Sequence, residues 1–461
     1  MEATNANQPD GAEKGRPVAK PRRGNGQEAN KLLPEDRAAH EWYRFVQSFP
    51  PHLVRQCLER FGAGSHHQVL DPFCGTGTTL VECKKLGIPS VGVEANPMAH
   101  FASEVKVDWL LDADKLLAHA RHVAEVAEAK LEAQGIEDQP FGPLFSKARN
   151  ASGGGHNGRS LRTLPAHLQK LLLTDSISPL PLHKTLVLLD CLEEHRDDRY
   201  YRHERLALAK AIVYAISNLH FGPEVGVAPA KSDAPVVAPW LSEVEAMASD
   251  LPKLRAGGTT PSVVHRADAR RISQILERNS IDAVITSPPY PNEKDYTRTT
   301  RLESVLLGFL HKKDDIRALK RNLVRSNTRG VYKGDDDDRL VAGHAEIERI
   351  AQAIEKRRIE MGKTSGFERM YHRVTRLYFG GMARHLSALR SVLRPGAQLA
   401  YVVGDQASYL RVMIRTGELL GDLAESLGYE LVGIDLFRTR LATATKEQLR
   451  EEVVLLRWPG A

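Results

Sequence analysis

Cysteine is scarce in this chain. Its four residues, Cys57, Cys74, Cys83 and Cys191, show no CxxC spacing, so neither a disulfide framework nor a zinc cluster is expected, and a reducing cytoplasmic setting fits. Long hydrophobic runs are missing as well. None approaches the ~20 apolar residues that span a bilayer, and residues 1–30 hold no apolar core of a secretory leader, so no membrane partner is expected. No internal repeat is visible, which excludes solenoid and propeller arrays. A strong charge of one sign is also absent: 64 Lys+Arg stand against 58 Asp+Glu, a net +6. Over 461 residues that total says little about an acidic partner.

What is present is an interrupted α/β pattern. Residues 1–30 are rich in Asn, Gly, Pro, Gln and charge. They cannot bury enough surface to offset their ordering entropy and read as a disordered basic tail. An aromatic-rich stretch, HEWYRFVQSFPPHLV from His40 to Val54, leads into a helix with Pro50-Pro51 in its first turn. There follow a strand at Gln68–Leu70, a glycine turn, a helix over Thr78–Leu86 and a strand over Ser90–Val93 ending at Glu94. That order predicts a parallel sheet with a ligand at the carboxyl ends of its strands.

The alternation stops between 100 and 260. Helical stretches at Asp112–Ala133 and Leu182–Leu219, a glycine-rich loop at 152–158 and a Pro/Ala/Val-rich connection near 227–240 read as an inserted, mostly helical subdomain. Strand patterns resume at Ser262–His265 and Ile281–Ile285, residues 300–394 read as helical, and the last strands are expected at Gln398–Val403, Glu430–Phe437 and Glu452–Arg457.

Two motifs carry chemistry. In Asp71-Pro-Phe-Cys-Gly-Thr-Gly-Thr-Thr79, Gly75 and Gly77 let the backbone turn sharply and approach a ligand. A P-loop lysine is missing, and Leu80 stands where a dinucleotide fingerprint needs its third glycine, so neither nucleotide class is favoured. Glu94 could accept hydrogen bonds from a ribose diol, or serve only as a charge at a helix N-terminus. In Thr286-Ser-Pro-Pro-Tyr290, the prolines remove two backbone donors and leave carbonyl acceptors. Ser287 adds a hydroxyl and Tyr290 an aromatic face, the set that an exocyclic amino group on a flat ring needs. A proline-rich strand exit with a packing tyrosine is the alternative.

DPFCGTGTT resembles motif I of the amino-group DNA methyltransferases, TSPPY their motif IV, VGVEANP motif II, HRADAR motif III and HEWYRFVQSFPPHLV motif X. The resemblance covers roughly 40–100 and 262–310 together with the last strands. It implies a Rossmann-like, S-adenosylmethionine-dependent methyltransferase fold: an α/β, mostly parallel seven-stranded sheet, here with a large helical insertion. It further implies a catalytic unit split into 31–100, 261–310 and 367–461, an insertion at 101–260 that could serve target recognition, and a basic segment at 311–366. Asp71, Phe73, Gly75, Gly77, Thr78, Glu94 and Asp268 would hold S-adenosylmethionine. Ser287, Pro288, Pro289 and Tyr290 would hold the amine of a base flipped from duplex DNA. Within the family, serine at the first motif IV position goes with N4-cytosine and aspartate with N6-adenine, so N4-cytosine is expected. An N6-adenine DNA methyltransferase, an RNA guanine-N2 methyltransferase and a silent cofactor-binding scaffold are the other readings. A cognate restriction or defence protein is an expected partner.

Split by segment, the charge becomes informative. Residues 101–250 carry net −5 and residues 291–390 net +8. Arg298, Arg301, Arg317, Lys320, Arg321 and Arg325 are therefore candidates for phosphate contact. Gly334-Asp-Asp-Asp-Asp338 interrupts this basic run and, lacking EF-hand spacing, reads as an exposed loop.

Overall fold

The computed structural model describes residues 31–44, 48–138, 161–221, 224–292, 294–441 and 448–460. The tail at 1–30 and the glycine-rich loop at 152–158 lie outside the described residues. Nine strands are found among those described: β1 Val69–Asp71, β2 Ser90–Glu94, β3 Leu219–Phe221, β4 Val225–Val227, β5 Ser262–Arg266, β6 Ile281–Thr286, β7 Leu393–Gly404, β8 Glu430–Leu441 and β9 Gln448–Arg457. Seven form one sheet in the order β5-β2-β1-β6-β7-β9-β8. The pairs up to β6–β7 are parallel, whereas β9 runs antiparallel to both neighbours. The chain reverses direction across the sheet between β1 and β6, so the carboxyl ends of those strands open a crevice. Counted along the sheet alone, this is the 3-2-1-4-5-7-6 order of a Rossmann-like methyltransferase sheet with its antiparallel edge hairpin.

The alternation of side chains explains the layers. Val69, Ala283, Ile285, Ala400, Val402 and Val453 share one apolar cluster with Leu53, Val54 and Leu58 of helix α1 (Pro51–Arg60). Leu70, Val284, Leu399, Tyr401 and Val454, one residue out of phase, belong to the cluster on the other face. A period-2 pattern with both phases apolar is what a sheet covered on both faces requires. Strand β7 begins five residues earlier than expected, at Leu393, and its register shifts against β6 between Ile281 and Ala283. The intervening Pro395 has no ladder donor and Gly396 has φ +87°, so these residues bulge rather than pair.

The insertion is not a detachable body. Its helices α4 (Ala113–Ala133), α5 (Pro179–Glu194), α6 (Tyr201–Ala211) and α7 (Val237–Leu254) contribute Leu116, Val123, Leu188, Leu206 and Trp240 to one cluster. The same cluster holds Leu80 and Val81 of α2 (Thr78–Lys85) and Met98 and Phe101 of α3 (Pro97–Lys106).

Two expectations change here. The single helical stretch at 182–219 is broken after Glu194, restarts at Tyr201 and ends in a π turn, and the chain then forms the β3–β4 hairpin. Within 300–394, the helices α8 (Arg301–Leu306), α9 (Lys313–Arg321), α10 (Ala345–Glu360) and α11 (Tyr371–Leu389) leave 322–344 without α-helix. That segment is organised by the aspartate run instead. Asp335 accepts two bonds from Arg325, and Asp337 accepts from Arg270 and Arg384. Asp337 is buried, and its backbone lies against Gly380 of α11, where an added Cβ would collide with it, while at Gly381 a Cβ would press on the Val324 side chain at 3.1 Å. The run is thus an arginine clamp anchored by one buried aspartate, with Gly334 and Asp336 exposed, because closely spaced carboxylates can each answer a guanidinium arriving from another element.

Candidate active site

A cavity of about 610 Å³ opens at the carboxyl ends of β1, β2, β6 and β7, within the usual size range of small-molecule sites. Phe73, Gly75, Thr78, Glu94 and Asp268 line one part of it, and Ser287, Pro288, Pro289 and Tyr290 another. Ser48 and Phe49, from the aromatic-rich entry segment, complete a wall. Residues separated by more than two hundred positions in sequence therefore face one space.

The glycine turn is braced from several sides. Gly75 has φ +52° and Gly77 +83°. Gly77 itself does not line the cavity. It begins α2 in the left-handed region, with Ser103 so close that a Cβ would sit 3.1 Å from its hydroxyl. Ser103 Oγ donates to the Gly75 carbonyl at 2.7 Å. Glu94 Oε2 accepts from Gly75 N at 2.9 Å, while its Oε1 accepts from Asn96 N at 2.7 Å. Capping of α3 falls to Asn96, whose side chain accepts from Met98 N and Ala99 N. The helix-charge role of Glu94 is thereby filled by a neighbour, and its carboxyl group is left facing the cavity. Burial raises the Glu94 carboxyl to about 7 against the backbone donors that pull it down.

Asp71 departs from its expected role. It is fully buried and does not line the cavity. Its Oδ1 accepts from Thr286 Oγ1 at 2.6 Å and from Phe73 N at 3.1 Å. Asp71 is thus a strut joining the end of β1 to the end of β6, which sets the glycine turn against TSPPY. Burial raises its carboxyl to about 6. Asp268 lines the cavity with its carboxylate already held by Arg270, which donates to Oδ1 at 3.0 Å and Oδ2 at 2.8 Å and reaches Asp337 with its other nitrogen.

The TSPPY end is set by the next strand. Ser287 Oγ donates to the Val402 carbonyl of β7 at 3.0 Å. Its one proton is spent there, and the lone pairs of the oxygen remain. Tyr290 packs against Gly404, where a Cβ would sit 3.0 Å from the ring. Cys74 lines the cavity, but burial pushes its thiol well above the ordinary value. A thiolate nucleophile is not available there.

The basic candidates divide. Arg325 is 4% exposed and bound to Asp335, so it is a strut and not a phosphate contact. Arg301 donates to the carbonyls of Thr297 and Leu171, and Lys320 bonds Asp295 at 2.8 Å while lining the cavity. Arg298 has a buried Nε without a partner, and Arg321 lies over the ring of Tyr332. Arg317 is 63% exposed and pairs with Asp314 on its own helix. Burial, invisible to a charge count, separates these roles.

Several lining residues were not anticipated. Thr76 sits inside the glycine turn, buried, and its hydroxyl has no partner among the described residues. Its position between the two glycines was the available signal. Asn327, Lys294, Arg438 and Arg440 also line the cavity, and no local motif marks them. The orphaned Thr76 hydroxyl, the glycine turn, Glu94 and Asp268 supply a donor, close backbone approach and two carboxylates. That set suits the amino-acid, ribose and adenine parts of S-adenosylmethionine.

Comparison with known proteins agrees. A family model described as DNA methylase matches residues 14–104. The type II methyltransferase M.BsoBI of Geobacillus stearothermophilus is 26% identical over 93% of this chain and 85% of its own. The type II methyltransferase M.AvaI of Anabaena variabilis is 24% identical over 94% of this chain and 88% of its own. TrmN from Thermus thermophilus aligns with 88% of this chain and 48% of its own at 10% identity and a TM-score of 0.24; the fold assignment rests instead on the strand order given above. With both motifs meeting in one cavity of such a sheet, the chain is similar to the DNA methylases of that family model and to these type II methyltransferases.

Proposed function

We propose that the protein methylates the N4 amine of cytosine in DNA, at a base turned out of the duplex, and that it is the modification member of a restriction–modification pair. The observation that carries the reading is the hydrogen bond from Ser287 to the Val402 carbonyl. A hydroxyl that donates inward presents only acceptor character outward, which is what an N–H-bearing nucleophile requires.

S-adenosylmethionine supplies an activated sulfonium methyl when bound, so the chain needs to supply no covalent nucleophile. The glycine turn, Thr76, Glu94 and Asp268 would hold it. On the TSPPY side, Ser287 Oγ and the Pro288 carbonyl accept the two N–H bonds of the amine and draw its lone pair out of the ring system, while Tyr290 stacks on the base. Lys294, Arg438 and Arg440 line the same cavity, where both arginines are ion-paired with Glu451. The gain comes mainly from orientation, which in well-aligned systems is worth up to ~7–11 kcal/mol. Turning the base out of the stack costs a few kcal/mol, offset by stacking and phosphate contacts.

The test is direct. The purified protein is incubated with labelled S-adenosylmethionine and unmodified duplex DNA, single-stranded DNA or tRNA, and the nucleosides are identified by mass spectrometry. N4-methylcytosine in the duplex is expected. N6-methyladenine would move the assignment to the other amine, and label in tRNA alone would overturn the DNA reading.

A further inference from the structure

The stretch Asn322–Asn327 and Gly330 line the catalytic cavity, yet no motif of the sequence marks them. The stretch is tied at three points. Arg325 is locked by two bonds to Asp335, the Ser326 carbonyl accepts from Tyr409 Oη at 2.7 Å, and Asn327 Nδ2 donates to the Lys294 carbonyl at 2.9 Å. Asn327 is 8% exposed, and its Oδ1 has no hydrogen-bond partner among the described residues. The bond to a carbonyl settles which end of the amide is which, since only the nitrogen can donate to Lys294. A buried oxygen is therefore held at the cavity, with its desolvation uncompensated until a donor arrives.

We propose that Asn327 Oδ1 is a ligand acceptor for an amino N–H bound in the cavity. Two groups of that chemistry would meet there, the exocyclic amine of the target base and the amino-acid ammonium of S-adenosylmethionine. The assignment deepens the methyl-transfer reading and rests on it for the first source only. An amide suits either donor: it accepts strongly without adding a further negative charge to a cavity that Asp295 and Glu451 already line. The three ties hold the oxygen before the ligand enters, so little entropy is lost in using it.

The test uses the full chain with two substitutions and two readouts. Asn327→Leu removes the acceptor at similar size. Asn327→Asp keeps an oxygen toward the cavity but cannot donate to Lys294. The dissociation constant for S-adenosylmethionine is measured by titration calorimetry, and the KM for unmodified duplex DNA by label transfer. The leucine variant is expected to weaken one of the two by about tenfold or more, with the aspartate variant staying near wild type. A change confined to cofactor affinity names the ammonium as donor, and one confined to KM names the base amine. Wild-type values in both readouts for the leucine variant overturn the proposal. So does an equal loss in both variants, which would leave Asn327 with only its structural bond to Lys294. If the leucine variant does not fold, Asn327→Ala takes its place. Absence of transfer by the wild-type protein to any DNA would instead sink the methyl-transfer reading, while the cofactor titration would still judge Asn327.

Discussion

Ser287 and Asp71 show how differently two polar residues at strand ends are used. The serine spends its proton on β7 and keeps its acceptor for a ligand, whereas the aspartate is consumed between Thr286 and Phe73. Ser287→Ala should therefore reduce turnover by about 100-fold, the scale of lost alignment at a reacting centre. Cofactor affinity measured by calorimetry should remain within about twofold, because the serine is assigned to the base amine and not to the cofactor. Asp71→Ala should instead act on stability, by about 1–3 kcal/mol for a buried hydroxyl and an N–H left without their acceptor. Denaturant unfolding is the measurement, and an unchanged midpoint would contradict the strut. Glu94 adds a pH dependence. Its carboxyl, raised to about 7 by burial, is neutral below that pH and ionised above it. The ionised form accepts better from a diol, so cofactor affinity should increase as pH rises through about 7. Glu94→Gln should flatten that profile in titrations between pH 6 and 8.5.

At the scale of elements, the aspartate run and the paired glycines of α11 form one device. Gly380 has no room for a side chain because the Asp337 backbone lies on it. Gly380→Ala should push the 335–338 turn off the helix, at a cost of about 1–3 kcal/mol for overpacking, and should lower activity as well, since Arg325 and Asp268 are held through that turn. Gly343→Ala is the control, because nothing lies within 4 Å of its Cβ position. A calorimetric melting temperature for Gly380→Ala equal to that of the control would refute the account. The sequence pattern marks the helix well but not the device. Gly380-Gly381 looks like weakness in a helix, and four aspartates look like a solvated loop, until the two are seen to touch.

Over the whole molecule, the basic surplus after TSPPY must be divided by burial before it says anything about DNA. Arg317 faces solvent, whereas Arg325 is enclosed. If Arg317 meets a phosphate, Arg317→Ala should weaken DNA binding and lower the salt slope of log K by about 0.9, the value of one phosphate contact. Arg325→Ala should lower the melting temperature and leave that slope alone. Fluorescence anisotropy across salt concentrations separates the two, and a slope unchanged in Arg317→Ala removes that residue from the interface.

The sheet, its motifs and most strand positions could be read from the chain because they depend on local regularities. Runs apolar in both phases demand a sheet covered on both faces, a glycine pair after a strand demands a tight turn, and two prolines demand bare carbonyls. The tertiary structure alone decided which polar groups are left unpaired. Arg325 is matched by Asp335 beyond the next turn and one oxygen of Asp71 by Thr286, far off in sequence, while the other Asp71 oxygen, the hydroxyl of Thr76 and the amide oxygen of Asn327 have no partner among the described residues. Composition and spacing establish what a side chain can donate or accept. Only the packing of distant segments establishes whether another part of the chain has already taken it.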